Sequence, residues 1–513
     1  MPVWLDNAIF YEIYPQSFQD SDGDGIGDFN GIIRRLDYVK DLGCNAIWLN
    51  PCFESPFMDA GYDVSDYYKA APRYGTNKDL ESLFQEVHNM GMHILLDLVP
   101  GHTSDRHPWF LESKKAERNE YTDRYIWTNN IWESPDHLQC IRGISDRDGS
   151  CAVNFFSTQP ALNYGYAKPR KDYQMAPTDP EPLKTREVIK DIMRFWLNMG
   201  CDGFRVDMAH SLIKGDDDAG TENIKIWKDF SGFLKKEFPE AVLVAEWGEP
   251  MKSLAGGFHM DFLLHFNSEG YNSLFRCNEP FFSKRGKGNI GIFAQEYKDI
   301  YASAAGKGLI CIPSGNHDMI RLAKDKGIEE LKICFAFLLS MPGVPYIYYG
   351  DEIGMKYIEG LKSVEGGFNR TGSRSPMQWD NSSNAGFSTA LPEHLYIRMD
   401  EDMDRPNVEN QIKEEDSLLN EVKKLIAVRR KYKALQNFGG FEFLYAEESR
   451  YPFIYKRRDG GQEIVIAINP SGREESCTFN LKAQEVIYSI GGTATISGGM
   501  LHIPPCSATF FIE

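Results

Sequence analysis

Acidic side chains lie at the ends of short apolar segments of this chain. Arg205 and Asp207 are two residues apart, at the end of an apolar run that begins at Gly203. On a strand the two side chains face the same way, and a neighbouring guanidinium favours the ionised form of a carboxylate. An oriented, ionised carboxylate can act as a nucleophile. A buried structural ion pair is the alternative, and these residues alone do not decide between the two.

Three further apolar segments end in acidic residues or histidines. These residues are Asp97 with His102, Glu246, and His317 with Asp318. If the segments are strands of one parallel barrel, all of these side chains meet at the carboxyl ends of the strands, where barrel enzymes carry their chemistry. Clustered carboxylates without a Cys/His metal set are typical of glycoside hydrolysis.

The surroundings of each carboxylate suggest its role. Asp207, beside Arg205, suits the nucleophile. Glu246 suits the acid/base, because crowding of negative groups and partial burial raise the pKa of a carboxyl. Asp318 and His317 would bind ring hydroxyls more tightly in the transition state than in the ground state. This arrangement predicts hydrolysis with retention of anomeric configuration.

The elements that must position these residues follow a strand–helix alternation. We expect eight strands, at 8–14, 45–49, 93–99, 203–206, 242–245, 262–266, 309–313 and 344–348. Eight strands separated by helical stretches predict a (β/α)₈ TIM barrel, over 1–103 and 171–434. The polar, aromatic stretch 104–170 is too long for a simple loop and predicts a small domain inserted after strand three. Alternating runs in 435–513 predict a C-terminal antiparallel β-sandwich domain.

Composition limits the possible partners and compartment. The net charge of −18 argues against nucleic acid and anionic membranes. We find no signal peptide and no apolar run long enough to cross a bilayer. The ten cysteines show no Cys-x-x-Cys pair or metal-ligand spacing, which indicates reduced thiols and a cytoplasmic protein. We expect a monomer or weak homo-oligomer whose partner is an oligosaccharide substrate.

Four motifs, in this order, resemble those of the α-amylase superfamily of retaining glycoside hydrolases. They are Asp97-Leu-Val-Pro-Gly-His102, Gly203-Phe-Arg-Val-Asp207, the strand end at Glu246, and Asn316-His-Asp318. The resemblance covers nearly the whole chain. It implies that Asp207 is the nucleophile, Glu246 the acid/base and Asp318 the transition-state stabiliser. It also implies that His102, Arg205 and His317 surround the reacting sugar.

Two finer motifs resemble the oligo-1,6-glucosidase, α-glucosidase and trehalose synthase branch. In the loop that begins at Gly61, the resemblance implies that Tyr62 stacks under the terminal sugar and that Asp63 binds its hydroxyls. Arg370 and Arg374, four apart before Pro-Met-Gln-Trp, match the second motif. Asp63 and Arg374 would close the pocket behind a non-reducing glucose, which implies exo-action on short oligosaccharides. A surface ion pair is the alternative for Arg374.

Three positions depart from the family pattern. Gly101 replaces an Asn that ligates calcium between the barrel and the inserted domain in many amylases, and Gly offers no side-chain oxygen. Ala161 stands where oligo-1,6-glucosidases commonly have Asp. Met208 stands where α-1,6-specific enzymes commonly have Val and α-1,4-specific ones Ala. Because a thioether is long and adaptable, the prediction favours α-1,4 linkages and leaves α-1,6 open.

The loop 20–28 carries alternating acidic residues and glycines. The acidic residues are Asp20, Asp22, Asp24 and Asp28. Oxygen ligands alternating on such a loop suit a hard cation, although the Glu that ends an EF-hand loop is here Gly31. The resemblance implies a structural Ca²⁺ site, or a Mg²⁺ site, with the Ile26 carbonyl among the ligands. An Asp/Gly turn without metal is the alternative.

The sequence therefore predicts a retaining, exo-acting α-glucosidase that acts through a covalent glucosyl-enzyme. Two other enzymes use the same carboxylates: a glucosyltransferase or trehalose synthase-like isomerase, and an endo-acting α-amylase. A non-catalytic scaffold of the same fold is disfavoured, because such chains lack the catalytic carboxylates.

Overall fold

A closed barrel of eight parallel strands forms the centre of the computed structural model, which describes residues 1–482 and 485–513. The strands are β1 (Phe10–Ile13), β2 (Ala46–Leu49), β3 (His93–Leu98), β4 (Gly203–Val206), β5 (Val242–Ala245), β6 (Met260–Phe262), β7 (Leu309–Pro313) and β8 (Val344–Tyr348). Each strand pairs in parallel with the next, and β8 pairs with β1. The predicted (β/α)₈ TIM barrel is confirmed.

Helices follow the strands around the barrel, except for α3, which lies in the segment inserted after β3. They are α1 (Phe29–Leu42), α2 (Asn77–Asn89), α3 (Pro108–Ser113), α4 (Pro180–Met199), α5 (Thr221–Glu237), α6 (Pro250–Ala255), α7 (Glu269–Phe275), α8 (Ile290–Ala304), α9 (Ile328–Leu338), α10 (Val408–Lys413) and α11 (Leu418–Lys431). Local signals set their ends: Asp28 caps α1 through the Gly31 N–H, and Thr76 forms a capping box with Asp79 at the start of α2.

The barrel strands are buried on both faces, as parallel strands covered by helices must be. Every residue of β4, β5, β7 and β8 is buried. Aromatic rings fill the interior: Phe262 lies 5.6 Å from Trp48 and 4.7 Å from Tyr346, between ring centroids. This packed interior leaves the strand ends as the place where polar side chains can project.

The sixth strand differs from its prediction. It spans Met260–Phe262, whereas the prediction placed it at 262–266. Leu263 and Leu264 are buried but lie in the connection to α7, and Phe266 is exposed. A short apolar run does not distinguish a strand from a buried connection, which explains the error. The other seven strands begin and end within two residues of their predicted limits.

Two smaller units flank the barrel. The chain between β3 and α4 contains α3 and two short strands, Cys140–Ile141 and Cys151–Ala152, around a small core of its own. The C-terminal part forms an antiparallel β domain, as predicted, with a five-stranded and a three-stranded sheet. Its strands are β9 (Gly440–Tyr445), β10 (Phe453–Asp459), β11 (Gln462–Asn469), β12 (Glu475–Thr478), β13 (Glu485–Ile490), β14 (Thr495–Ser497), β15 (Met500–Ile503) and β16 (Ser507–Ile512). The numerical domain boundaries stay predictions.

Candidate active site

The ends of β3, β4 and β5 place three carboxylates around one guanidinium. Arg205, which is 2% exposed, has its Nη1 2.9 Å from Asp97 Oδ1 and 3.1 Å from Asp207 Oδ1. Its Nη2 lies 2.7 Å from Glu246 Oε1. The strand register explains the arrangement, because Asp97 of β3 lies directly beside Arg205 of β4. A single buried cation thus links the predicted nucleophile to the predicted acid/base.

The protonation of Asp207 differs from the prediction. Burial raises the pKa of Asp207 well above its usual value, and the Glu246 carboxylate raises it further, against the effect of Arg205. Arg205 does not keep Asp207 ionised by itself, because it is shared with Asp97 and Glu246. A retaining mechanism needs one carboxyl of this pair ionised as nucleophile and the other protonated as acid.

Met208 orients Glu246 through its backbone. Its N–H donates a hydrogen bond of 2.9 Å to Glu246 Oε2. Met208 has a φ of 41°, in the left-handed region that non-glycine residues rarely adopt. The hydroxyl of Ser211 donates to the Met208 carbonyl and helps to hold this conformation. Strained backbone of this kind is concentrated at functional sites.

Asp318, just beyond β7, is bound by three cationic side chains. Arg370 Nη1 and Arg374 Nη2 lie 2.8 and 2.9 Å from Asp318 Oδ1, and His317 Nε2 lies 3.2 Å from Oδ2. Burial would raise the pKa of Asp318, but the charges of His317, Arg374 and Arg370 hold it well below its usual range. Arg374 is itself buried, so the surface ion pair considered for it is excluded.

His317 is held between Glu12 and Tyr62. Its Nδ1 lies 2.8 Å from Glu12 Oε1, and its Nε2 lies 2.7 Å from the Tyr62 hydroxyl. Burial would lower the pKa of His317, but the carboxylates of Asp318 and Glu12 outweigh it and raise the pKa to about 9. The rings of Tyr62 and His317 stack with centroids 5.6 Å apart. Glu12, buried on β1, was not singled out in the sequence, because one acidic residue in an apolar strand carries no motif.

The structure contradicts the role predicted for Asp63. The Asp63 side chain is fully buried. Its Oδ1 accepts hydrogen bonds from the Ser55 hydroxyl and the Asp59 N–H, both at 3.0 Å, and its Oδ2 accepts one from the Met58 N–H at 2.9 Å. The carboxylate therefore folds the loop 55–63, and the prediction that it closes the pocket is wrong.

Asp59 is the acidic residue of this loop that faces an arginine of the site, and its partner is Arg370 and not the predicted Arg374. Its Oδ1 lies 3.5 Å from Arg370 Nη2, and its Oδ2 accepts a 2.8 Å hydrogen bond from Gln159 of the inserted segment. Burial raises the pKa of Asp59 to about 6, against the effects of Gln159 and Arg370. Asp59 precedes Tyr62 by three residues, so the sequence contained both acidic candidates but nothing that showed which one faced the arginine.

The catalytic domain of the alpha-amylase family (described as "Alpha amylase, catalytic domain") matches residues 12–437 of the chain. The chain belongs to the alpha-amylase family. It is 33% identical to "Alpha-amylase 3" of Dictyoglomus thermophilum, over 94% of this chain and 89% of that protein. It is 30% identical to the oligo-1,6-glucosidase of Parageobacillus thermoglucosidasius, over 95% of this chain and 93% of that protein. It is 32% identical to the trehalose synthase/amylase TreS of Mycobacterium tuberculosis, over 92% and 82%.

Two solved enzyme structures share the fold of this chain over nearly its whole length. A mutant of isomaltulose synthase from Erwinia rhapontici NX5, in complex with its natural substrate sucrose, superposes with a TM-score of 0.82 at 25% identity, over 100% of this chain and 99% of that chain. The trehalulose synthase MutB of Pseudomonas mesoacidophila MX-45 gives a TM-score of 0.83 at 24% identity, over 99% of both chains. The alpha-amylase family assignment made from the four motifs is confirmed.

His102 lies behind the carboxylates of this alpha-amylase family site. Its Nε2 is 3.1 Å from the Tyr62 carbonyl, and its Nδ1 is 3.2 Å from the Asn154 amide. Burial lowers the pKa of His102 to about 3, so the ring is neutral at neutral pH. The neutral ring donates from Nε2 to the carbonyl and accepts at Nδ1. Its contact with a sugar stays a prediction.

A protein cation lies beside Gly101, where many amylases have a calcium ligand. A Cβ on Gly101 would lie 2.7 Å from the Asn154 amide nitrogen, so Asn154 fills the space of the missing side chain. The Lys214 ammonium donates a 2.9 Å hydrogen bond to Asn154 Oδ1 and is buried. The oxygens here are the Asn154 amide oxygen and the Ser211 carbonyl, and both already accept hydrogen bonds from the buried ammonium, an arrangement that does not suit Ca²⁺. We refer to this contact between the inserted segment and the barrel as the Lys214 seam.

The loop 20–28 brings together part of the predicted cation site. Carboxylate oxygens of Asp20, Asp22 and Asp28 lie within 4.8 Å of one another. Such a group of oxygens fits a hard cation. Asp24 lies outside this group, and its Oδ1 accepts a hydrogen bond from the Ile26 N–H. The structure therefore assembles three of the four predicted carboxylates.

Proposed function

We propose that the protein is a retaining, exo-acting α-glucosidase that hydrolyses short α-linked gluco-oligosaccharides. The arrangement of Arg205 between Asp207 and Glu246 carries this proposal, because one cation holds a nucleophile candidate and an acid candidate at adjacent strand ends. The alpha-amylase family membership supports the same chemistry. The bridge from Asp59 to Arg370 supports exo-action, because it joins two loops across one end of the site.

Each carboxylate has one role in the proposed mechanism. Ionised Asp207 attacks the anomeric carbon while protonated Glu246 gives its proton to the leaving glycosidic oxygen, and a covalent glucosyl-enzyme forms. Glu246, now ionised, takes a proton from water, and the water oxygen displaces Asp207 from the same carbon. Two displacements retain the α configuration. At the end of the cycle Asp207 is ionised and Glu246 protonated again.

The remaining side chains stabilise the charge that develops on the sugar ring. Asp318, which stays ionised, would accept hydrogen bonds from ring hydroxyls that strengthen in the oxocarbenium-like transition state. Tyr62 offers an aromatic face to the sugar, and His317 keeps Asp318 charged. Arg370 and Arg374 orient Asp318, and Asp59 would bind hydroxyls at the closed end.

Names among the relatives favour a second candidate function. The similarity to a trehalose synthase/amylase at 32% identity makes glucosyl transfer or isomerisation the alternative to hydrolysis. Both reactions pass through the same glucosyl-enzyme and differ in how well water is excluded from it.

For the linkage that is cleaved, we propose α-1,4 over α-1,6, because the adaptable Met208 side chain follows the nucleophile in the sequence.

Product analysis tests the proposal directly. Purified enzyme is incubated with maltose, isomaltose, maltotriose, trehalose, sucrose and starch, and the products are separated by chromatography. We expect glucose from maltose and maltotriose, initially as the α anomer by NMR, and little action on starch. Rapid loss of starch viscosity would instead identify an endo-acting amylase, and formation of a disaccharide isomer without net glucose would identify an isomerase.

We further propose a structural Ca²⁺, or Mg²⁺, in the loop 20–28, held by Asp20, Asp22 and Asp28 with the Ile26 carbonyl. Its contribution would be to the stability of the loop and not to the reaction.

A cytoplasmic location is proposed because all ten cysteines are free. No helix in the described ranges is long and apolar enough to span a membrane. Monomer or weak homo-oligomer stays the prediction for assembly.

A further inference from the structure

A cavity of about 490 Å³ opens beside Asp318, between the segments that follow β6 and β7. Asp318 and His265 are among its lining residues, so the cavity adjoins the catalytic site. Cavities of roughly 300–1,000 Å³ hold small ligands. This cavity, which we name the aglycone cavity, meets the catalytic site at Asp318 and has room for the leaving group of a glucoside.

The aglycone cavity is rich in cationic side chains. Its cationic residues are Arg276, Arg285, Arg321, Lys324 and Lys326, and its acidic residues are Asp318 and Asp325. Asp318 is already bound by three cations of the catalytic site. Arg321 is paired with Asp351 at 3.1 Å and Lys324 with Glu359 at 2.8 Å, which leaves three cations against Asp325. This remaining positive charge is opposite in sign to the net charge of −18 of the whole chain.

Three of these cations have no acidic partner within 4.0 Å in the described ranges. Arg276 donates hydrogen bonds of 2.6–3.0 Å to two backbone carbonyls and one tyrosine hydroxyl. Lys326 donates to the Phe275 carbonyl at 2.8 Å. The Arg285 guanidinium forms neither a hydrogen bond nor an ion pair with any residue that the structure describes, and it is exposed. Within the described residues, the hydrogen-bond partners of the Arg276 and Lys326 side chains are thus neutral carbonyls and one hydroxyl, and the Arg285 guanidinium has no partner.

Neutral sugars do not require such an arrangement. Glucose binds through hydroxyls, for which amides, carboxylates and aromatic faces suffice, and crowded like charges destabilise the protein. An anionic group on the substrate would bind more strongly to these cations than a neutral hydroxyl does, since charge-assisted hydrogen bonds from Arg and Lys are about twice as strong as neutral ones. Local cations would also offset the repulsion between an anion and the acidic surface.

We propose that the preferred substrate carries an anionic group, a phosphate monoester or a carboxylate, on its aglycone, and that the cations of the aglycone cavity bind it. This inference rests on the proposed glucosidase function, since it assigns the leaving group of the same reaction. The glucose unit transferred to Asp207 would stay neutral. The anionic product would leave through the aglycone cavity.

Paired substrates test the proposal. The kcat/KM of the enzyme is measured for maltose against maltobionate, which carries a carboxylate on the leaving unit, and for trehalose against trehalose 6-phosphate. We expect at least a tenfold preference for one anionic substrate over its neutral partner, and a decline of that preference with added salt. If neutral maltose is hydrolysed without any preference for either anionic partner, the inference fails and the glucosidase function stands. If no glucoside is hydrolysed, both fail.

Charge variants locate the effect. Arg285→Gln removes a cation that has no structural partner, and we expect the ratio of anionic to neutral kcat/KM to fall at least fivefold. Lys307→Gln is the matched control, because Lys307 is exposed and lies outside the cavity. Inhibition by glucose 6-phosphate and by gluconate, compared with glucose, adds a readout that does not depend on linkage. An equal change in Arg285→Gln and Lys307→Gln would overturn the assignment of the site.

Discussion

Asp59 and Asp63 allow a direct test of the geometry, because the same conservative change has opposite expected effects at the two positions. In Asp63→Asn, one carboxylate oxygen becomes an NH₂ group that faces the Met58 N–H. An unsatisfied buried donor costs about 1–3 kcal/mol. Unfolding entropy near 2.1 cal/mol/K per residue gives about 1 kcal/mol per °C for a chain of this length, so Tm should fall by about 1–3 °C. Activity below that temperature should change little.

Asp59→Asn keeps an oxygen for Gln159 but loses the charge that faces Arg370 and the proposed sugar hydroxyls. Loss of a hydrogen bond to a charged group costs about 1.5–3 kcal/mol, which corresponds to a fall in kcat/KM of about 10- to 150-fold. The assays are hydrolysis of maltose and differential scanning fluorimetry on both variants. If Asp63→Asn lost activity while Asp59→Asn retained it, the assignment of Asp59 to the pocket would be refuted.

Three further predictions concern the acid/base, the histidine and the metal. Glu246→Gln should lower kcat on maltose by about 10²–10⁴-fold, with a smaller loss on 4-nitrophenyl α-glucoside, whose leaving group needs little protonation; equal losses on both substrates would contradict its role as acid. The pKa of His317, about 9, lies above the ordinary value near 6.5, so the stability from its ion pairs is complete below about pH 6.5 and is lost as pH rises through about 9. Glu12→Gln should therefore move the alkaline limb of kcat to lower pH, and an unmoved limb would exclude this control of His317. Ca²⁺ at about 100 times its Kd should add about 2.7 kcal/mol to the free energy of unfolding and raise Tm by about 2–3 °C. Chelation should remove this effect, and Asp22→Asn should abolish it. The same Ca²⁺ response in Asp22→Asn would argue against the site.

The barrel and its main carboxylates could be predicted because each depends on local pattern. Buried parallel strands are short apolar runs, and residues just after them lie at one rim. The placement of Asp207, Glu246 and Asp318 at that rim follows from this alone. The sixth strand was misplaced because Leu263 and Leu264 continue the apolar run into a buried connection.

Other features depend on side-chain contacts between distant segments. Nothing near Asp59 or Asp63 in the sequence indicates which one faces Arg370, since the folding of the loop 55–63 decides it. The effect of Arg205 on Asp207 was misjudged for a similar reason. The spacing of Arg205 and Asp207 in the sequence suggests a single ion pair. In the folded chain, Arg205 also pairs with Asp97 and Glu246.

The Lys214 seam has a consequence for how the two parts of the molecule stay joined. The Lys214 ammonium is part of the chain, so neither chelation nor dilution can remove it. This contact therefore does not depend on the metal concentration of the solution. Its charge follows proton concentration instead, because burial lowers the pKa of Lys214 to about 8. The hydrogen bonds that Lys214 donates across this contact should therefore weaken as the pH rises through about 8, whereas the supply of Ca²⁺ would act through the loop 20–28.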